Sequence, residues 1–465
     1  RDRIDLLLDE DSPFLELCPL AGWDQDEMTL GGSIVAGIGL VNGIECLITG
    51  NVATLFGGSS NEVSVAKGAR IATIAIENNL PFIQLIQTGG AKLDQQAKVF
   101  HPGGGQFRML AERTKLNLPT CSIVFGSSTA GGAYTPGLSD YIIMVKNQAQ
   151  VFLGGPPLVK MATGETVDAE SLGGADMHSR ISGLSDQLAL NEYDAIKKAR
   201  EFIGRLNWQK KGKIPTTHLH ELLGIVSANI RVPFDANEVI TRIVDGSRFT
   251  AFKPLYGPNI ITGWAYIHGF QVGIIANNNV IFMQEANKAT QFIRLCNTMN
   301  VPILFLQNTT GFMVGKKYEE EGIIKAGVHF VNAVSNSEVP AITIMMGASY
   351  GAGNYAMCGR AYNPRFLFSW PNSKCSVMGP DQLIGVMDII TREAAERTGK
   401  AVDEKLTAAR NKIFRAMAEK ESDVYWTSSR LLDDGIIDPR MTRVILGFCL
   451  SIVYSEKVEG GNLAG

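Results

Sequence analysis

The chain has 465 residues, 45% of them hydrophobic and 19% charged, with a formal net charge of −3. That length exceeds one ordinary hydrophobic core and predicts two domains, while the near-neutral charge leaves no electrostatic footprint for nucleic acid or an anionic membrane. Forty-nine glycines without a collagen-like period point to tight turns and close backbone approaches, and seven cysteines without a C-x-x-C pair suggest neither a disulfide framework nor a zinc knuckle. Buried thiols in a reducing compartment are expected instead.

The first half reads as β-rich and then alternating. Residues 33–51 form a hairpin pattern with Asn42-Gly43 as a type I′ turn signal. A helical stretch over 63–79 leads to a short buried strand behind Pro81, ending in Gln87-Thr88-Gly89-Gly90. A further helix precedes a strand behind Pro119, CSIVFG at 121–126, which runs into Ser-Ser-Thr-Ala-Gly-Gly-Ala-Tyr at 127–134. Strand–helix–strand alternation of this kind implies parallel strands with right-handed crossovers, an α/β fold.

The basic, Pro-containing segment 207–233 marks a boundary, giving domains 1–215 and 216–465. Asp235 and Glu238 then read as a capping box opening a helix. From there the pattern repeats. Residues 259–278 form a hairpin turning at His268-Gly269, 226 positions after the first turn glycine. A helix over 284–300 follows, then strands behind Pro302 and Pro340, and Ala-Ser-Tyr-Gly-Ala-Gly-Asn-Tyr at 348–355. Both prolines lie 221 positions beyond their counterparts, so the chain is a tandem duplication that lost five residues between the second hairpin and Pro302. Residues 381–421 are helical and charged and are expected to pack on the second domain. The apolar run 444–454 is too short to span a bilayer.

A strand that ends in small residues and opens a helix leaves main-chain N–H groups aimed at one spot, and glycine there leaves them unshielded. That is oxyanion-hole geometry, in which one donor is worth about 3 kcal/mol of transition-state stabilisation. The candidate pairs are Gly131-Gly132 and Ala352-Gly353. The competing reading, small residues that merely let a helix pack on a strand, is weakened by finding the motif twice in one register.

Other motifs fail. Gly347-Ala348-Ser349-Tyr350-Gly351 matches a hydrolase nucleophile elbow, yet the last histidine in the chain is His329, before it. No phosphate-binding P-loop is present, and Gly37-x-Gly39-x-x-x-Gly43 opens no helix. His218 and His220 have only Glu221 beside them and read as solvated; no metal is expected. Two anion cradles without nucleophile, metal or nucleotide loop suggest substrates that bring their own reactive groups.

STAGGAYTPG (128–137), NTTGFMVG (308–315), GAGNYAMCGRAYNPRF (351–366) and Asp433-Asp-Gly-Ile-Ile-Asp-Pro-Arg resemble the carboxyltransferase β subunits of biotin-dependent acyl-CoA carboxylases, over nearly the whole chain. The resemblance implies two crotonase-like β-β-α spiral domains and transfer of CO₂ from carboxybiotin to an acyl-CoA. It implies that Gly131 and Gly132 hold the thioester oxygen and that Ala352 and Gly353 hold biotin's ureido oxygen. By the same likeness Thr88, Gly89, Gly90, Ala130, Ala133 and Tyr134 face the CoA thioester, and Thr310, Gly311, Phe312, Met313, Val314 and Gly351 face biotin. The biotin would be carried by a biotin carboxylase/carboxyl carrier (α) partner. The site would form between domains of two subunits in a hexamer, in a bacterial cytoplasm or a mitochondrial matrix.

Residues 151–165 and 351–362 look like the methylcrotonyl-CoA/geranyl-CoA branch, whereas 368–383 depart from the usual methylcrotonyl wording. Propionyl-, acetyl- or longer acyl-CoA substrates, or a non-catalytic scaffold subunit, are the alternatives. Three further departures lie in the first copy: Val52 where the family has Asp, Phe56 where it has a basic residue, and Gln87 where it has an acid. Altered acyl-CoA handling is expected, with Lys67 or Arg70 as candidate replacement cations.

Overall fold

The computed structural model describes residues 1–25, 30–206, 208–209, 222–227, 229–230, 232–278, 280–399 and 401–457. The chain divides into two compact units, Arg1–Lys211 with Tyr454–Gly465, and Gly212–Val453. The expected boundary at 215/216 and the His218/His220 pair lie outside the described residues.

Unit 1 is built on an eight-stranded mixed sheet. Ile34–Val41 and Ile44–Asn51 pair antiparallel, and Asn42 and Gly43 take φ values of 50° and 75° at the turn between them. Type I′ geometry demands positive φ at both central positions, which Asn and Gly tolerate. Helix Glu62–Glu77 then carries the chain to strand Phe82–Thr88, parallel to the hairpin, and helix Gln96–Lys115 carries it to strand Thr120–Thr129. The apolar strand residues and the inner helix faces close one core that includes Ile48, Ile83, Ile123 and Phe125.

Unit 2 repeats this plan in a seven-stranded sheet. Its hairpin is Ile260–Ile267 with Phe270–Asn277, its helix Met283–Thr298, and its parallel strands Ile303–Thr309 and Ala341–Tyr350. The first helices begin at Glu62 and Met283, already 221 apart, so the five lost residues fall between hairpin and helix: 52–61 in unit 1 against 278–282 in unit 2. Even the irregularities match, with a register shift between Ile86 and Thr88 and another between Gln307 and Thr309.

In both units the strand that precedes the small residues divides its partners. Cys121–Val124 pair with Tyr141–Met144, whereas Ser127–Thr129 pair with Gln150–Phe152. Ile342–Met345 pair with Phe366–Ser369, whereas Ala348–Tyr350 pair with Lys374–Ser376. The strand thus exchanges one parallel neighbour for another just before the motif.

A second duplicated device lies at the hairpin turns. Asp9 accepts from the Asn42 and Gly43 amides at 2.8 and 2.7 Å, and Arg200 bridges Asp9 to the Leu7 carbonyl. Asp245 accepts from the His268 and Gly269 amides at 2.9 and 2.8 Å, and Arg443 bridges Asp245 to the Ile243 carbonyl. Burial alone would raise both carboxyls, but the turn amides and the arginines outweigh it and hold them below the usual range. Each unit therefore fastens its first and last segments to its own hairpin.

Two expectations need correction. Asp235 does cap its helix, accepting from Asn237, but Glu238 pairs with Arg242 at 2.7 Å rather than returning to the cap. An i,i+4 partner on the same face outcompetes the backbone amide. Nor do the helices within 381–421 bury a face on the second domain. Pro380–Thr398 has no buried residue and Glu404–Glu421 only Thr407. The two instead hold each other through Arg392–Glu404 and Arg410–Thr391. All seven cysteines are free thiols, six of them buried.

Candidate active site: two amide cradles

Strand Thr120–Thr129 ends at Ala130, whose φ of 56° turns the chain into a short helical segment, Ala130–Ala133 and then Tyr134–Gly137. Strand Ala341–Tyr350 ends at Gly351, φ 55°, and opens helix Ala352–Ala356. The same left-handed residue stands at the same place in both units, alanine in one and glycine in the other. The first amides of each helical turn follow immediately and have no acceptor within their own helix.

The second residue of each pair is sterically obliged to be glycine. A Cβ at Gly132 would lie 2.9 Å from Thr88 Cγ2 and 3.4 Å from Ser128 Oγ. A Cβ at Gly353 would lie 2.9 Å from Thr309 Oγ1 and 3.0 Å from Gly311 Cα. Thr88 and Thr309 are counterparts, and each Oγ1 accepts at 3.1 Å from the amide two residues on, Gly90 or Gly311. Gly90 and Gly311 share positive φ, 94° and 113°. The first residue of each pair is under no such constraint: a Cβ at Gly131 meets Phe107 at an ordinary 3.5 Å, and unit 2 carries Ala352 there. Gly131 and Ala352 are exposed, Gly132 is partly exposed and Gly353 is buried.

In unit 1, Thr88, Gly90, Ala130, Gly131 and Gly132 therefore meet at one place. Gly89 is exposed beside them, its amide on Gly57 O at 3.0 Å. Tyr134 is half-exposed with its ring edge-on to Phe107, and Ala133 is buried beneath. In unit 2, Phe312, Met313, Val314 and Ala352 line an apolar groove of about 510 Å³. Gly311 is buried and its carbonyl accepts from Ile281, while Thr310 is exposed and lines a neighbouring cavity of about 550 Å³.

Ser349 cannot act as a nucleophile. It is fully buried, donates to Gln307 Oε1 and accepts from Asn354 Nδ2 at 2.8 Å. The nearby Cys375 thiol, 3.7 Å from Asn354 Nδ2, is pushed up to about 11 by burial and stays protonated. The Asp433–Ile437 run is structural: Asp434 takes the Leu367 amide and Arg360, and Ser369 donates to Asp433 at 2.7 Å. Burial, with Asp434 nearby, raises Asp433 to about 6 despite the hydrogen bond from Ser369.

The three departures separate. Strand alternation turns Gln87 away from Thr88, to the opposite face. There its Oε1 accepts from Arg3, which also grips Glu192 and lies 4.2 Å over the Phe125 ring. Val52 lines the same cleft as Arg3 and Gln87. Phe56 lies further along the same 52–61 loop, next to Gly57, whose carbonyl accepts from the Gly89 amide. Lys67 is no replacement cation: it is fully buried and donates to the Gly31 and Ile34 carbonyls at 3.2 and 2.8 Å. Its counterpart Lys288 does the same to Gly257 and Ile260. Burial lowers both ammonium groups. Arg70 is half-buried and already partnered. Sequence reasoning missed the cation that does lie beside Phe56: Lys92 Nζ is 4.6 Å from the Phe56 ring centroid.

The carboxyl transferase domain family matches residues 1–461. The probable biotin-dependent acyl-coenzyme A carboxylase beta2 subunit of Mycobacterium tuberculosis is 54% identical, over 99% of this chain and 88% of that protein. The probable mitochondrial methylcrotonoyl-CoA carboxylase beta chain of Drosophila melanogaster is 46% identical, over 98% and 84% respectively. Among solved structures, the beta subunit of geranyl-CoA carboxylase from P. aeruginosa superposes with a TM-score of 0.89 at 41% identity, covering 97% of this chain and 86% of that one.

Proposed function

The chain belongs to the carboxyl transferase domain family, and from that premise we propose that it moves CO₂ from carboxybiotin to an acyl-CoA, 3-methylcrotonyl-CoA or a close relative. Carboxybiotin, when delivered by an α-type partner, supplies CO₂ and a ureido nitrogen able to take a proton from the acyl-CoA. The chain's own contribution is main-chain polarity. The Gly131 and Gly132 amides hold the thioester oxygen as it gains charge, and the Ala352 and Gly353 amides hold the ureido oxygen. Thr88, Gly89, Gly90, Ala130, Ala133 and Tyr134 shape the thioester side; Thr310 to Val314 and Gly351 shape the biotin side. Domains 1–215 and 216–465 divide these tasks, and a β hexamer bound to the α partner is the assembly.

One observation carries the reading. Two turns 221 residues apart share a positive-φ residue at the strand end and a glycine whose Cβ would strike the counterpart threonine, Thr88 or Thr309. Packing alone demands a small residue but not the same turn twice. The test is ATP-dependent fixation of labelled bicarbonate by the complex of this chain with its biotinylated partner, across a panel of acyl-CoA thioesters. Turnover with the branched C5 thioester is expected. Turnover only with a different acyl group moves the substrate, and none with any thioester favours a scaffold subunit.

A further inference from the structure

Unit 1 buries a cation that its own groups do not fully partner. Arg113, near the end of helix Gln96–Lys115, is 1% exposed. Its Nε donates to Thr120 Oγ1 at 3.0 Å, and its Nη2 donates to the Leu80 and Pro119 carbonyls at 2.8 and 3.0 Å. Nη1 is buried and has no hydrogen-bond partner among the described residues. Every acceptor that Arg113 reaches is therefore neutral. Asp140 acts on it only from one residue further off, through the Thr120 amide that donates to Asp140 at 2.8 Å. Burial pushes the guanidinium down to about 10, with Asp140 opposing, so it stays charged at neutral pH. A buried charge without a direct counter-charge leaves its desolvation cost uncompensated.

The duplication supplies a control. In unit 2 the matching corner, where helix Ile323–Ser335 ends ahead of Pro340, is filled by Ala333 and Val334, both in the apolar core. The frame closes there without a cation, so the fold alone does not call for Arg113.

Arg113 also lines a cavity of about 110 Å³ between strand Phe82–Thr88 and the helices Glu62–Glu77 and Gln96–Lys115. One ordered water needs only about 15 Å³ of such space, so the cavity is several waters large. Ile71, Phe82, Leu85 and Leu110 give it an apolar wall, and the guanidinium lies 5.3 Å from the Phe82 ring centroid. An inorganic anion would leave that wall uncovered, and a neutral molecule would leave the charge unmet. An aliphatic tail ended by a carboxylate meets both. The place is not the cradle. Arg113 grips the start of strand Thr120–Thr129, and Ala130 follows the end of those ten residues, about 30 Å along the strand.

We propose that this cavity binds a short aliphatic monocarboxylate, with its carboxylate on Arg113 Nη1 and its tail along the apolar wall. The proposal stands whether or not unit 1 handles a thioester.

The test is a ligand-detected NMR titration of the full chain with butyrate, butanamide and formate. Butyrate is expected to bind with a Kd of about 1 mM. Butanamide lacks the charge and formate lacks the tail, and each should bind at least about 10-fold more weakly. Arg113→Met keeps the length of the side chain without its charge and should weaken butyrate at least about 10-fold. Ala72→Leu keeps the arginine but fills the cavity from helix Glu62–Glu77, and should abolish butyrate binding even if Arg113→Met fails to fold. The wild-type series decides by itself. No butyrate binding, equal binding of butanamide or formate, or displacement of butyrate by saturating CoA overturns the site. So does undiminished binding by either folded variant, or a crystal grown with butyrate that shows water alone at Nη1.

Discussion

Units 1 and 2 keep the same buried lysine, the same Asp–Arg fastening and the same glycine behind a threonine, yet they differ at several exposed positions around it. Gly131 corresponds to Ala352, Ala130 to Gly351, and Lys92 to Met313. On the proposed function, the fold of each half presents two amides, and the residues around them suit different ligands.

That comparison can be broken most severely at Gly132. Gly132→Val pushes its side chain into Thr88 Cγ2, only 2.9 Å from even a Cβ, and is expected to lower carboxylation at least about 10²-fold, the scale of losing an oxyanion donor. Size-exclusion and circular dichroism should show the assembly intact. Activity that survives this substitution removes Gly132 from the cradle.

A smaller, unit-specific effect is expected at Asp433. Its carboxyl, raised to about 6 by burial, binds its proton more tightly in the fold than the unfolded reference of 3.8. Stability from this group is therefore greatest below pH 4 and is lost as pH rises from about 4 to 6, by on the order of 2–3 kcal/mol. Amide exchange of the strand Phe366–Ser369 should accelerate over that window in wild type and stay flat in Asp433→Asn. Unit 1 amides around Ile123 should not share the trend.

The two fastenings should cost alike. Asp9→Ala and Asp245→Ala each strip two turn amides and an arginine of their acceptor, and each is expected to cost about 2 kcal/mol in chemical denaturation. A clear inequality would show that the halves lean on their hairpins differently. The smallest effect is reserved for Gly131→Ala, which copies unit 2 into unit 1. With Phe107 at 3.5 Å from the new Cβ, activity should stay within about threefold of wild type.

Much of this architecture was legible before any coordinates. The I′ turn residues, the prolines before each strand and the constant offset name the elements because each leaves a local signature. The Asp–Arg fastening left none: Asp9 and Arg200 are 191 positions apart, Asp245 and Arg443 198, and no pattern in sequence joins them. Lys67 misled for a related reason. A lysine on an amphipathic helix reads as solvated, and only the fold shows that it satisfies two carbonyls. Lys92 was missed because its meaning depends on Phe56, which is brought to it by hydrogen bonds between two loops. The turns at Ala130 and Gly351 were legible because small residues after a strand permit few other geometries.

The fastening at the hairpin turns has one more consequence. Because Asp9 touches Arg200 and Asp245 touches Arg443, an early and a late segment of each half are joined by an ion pair. A module whose ends meet can be copied head to tail through a short connector without unthreading anything. A tandem of such modules needs only a spacer between them, and each copy can then specialise.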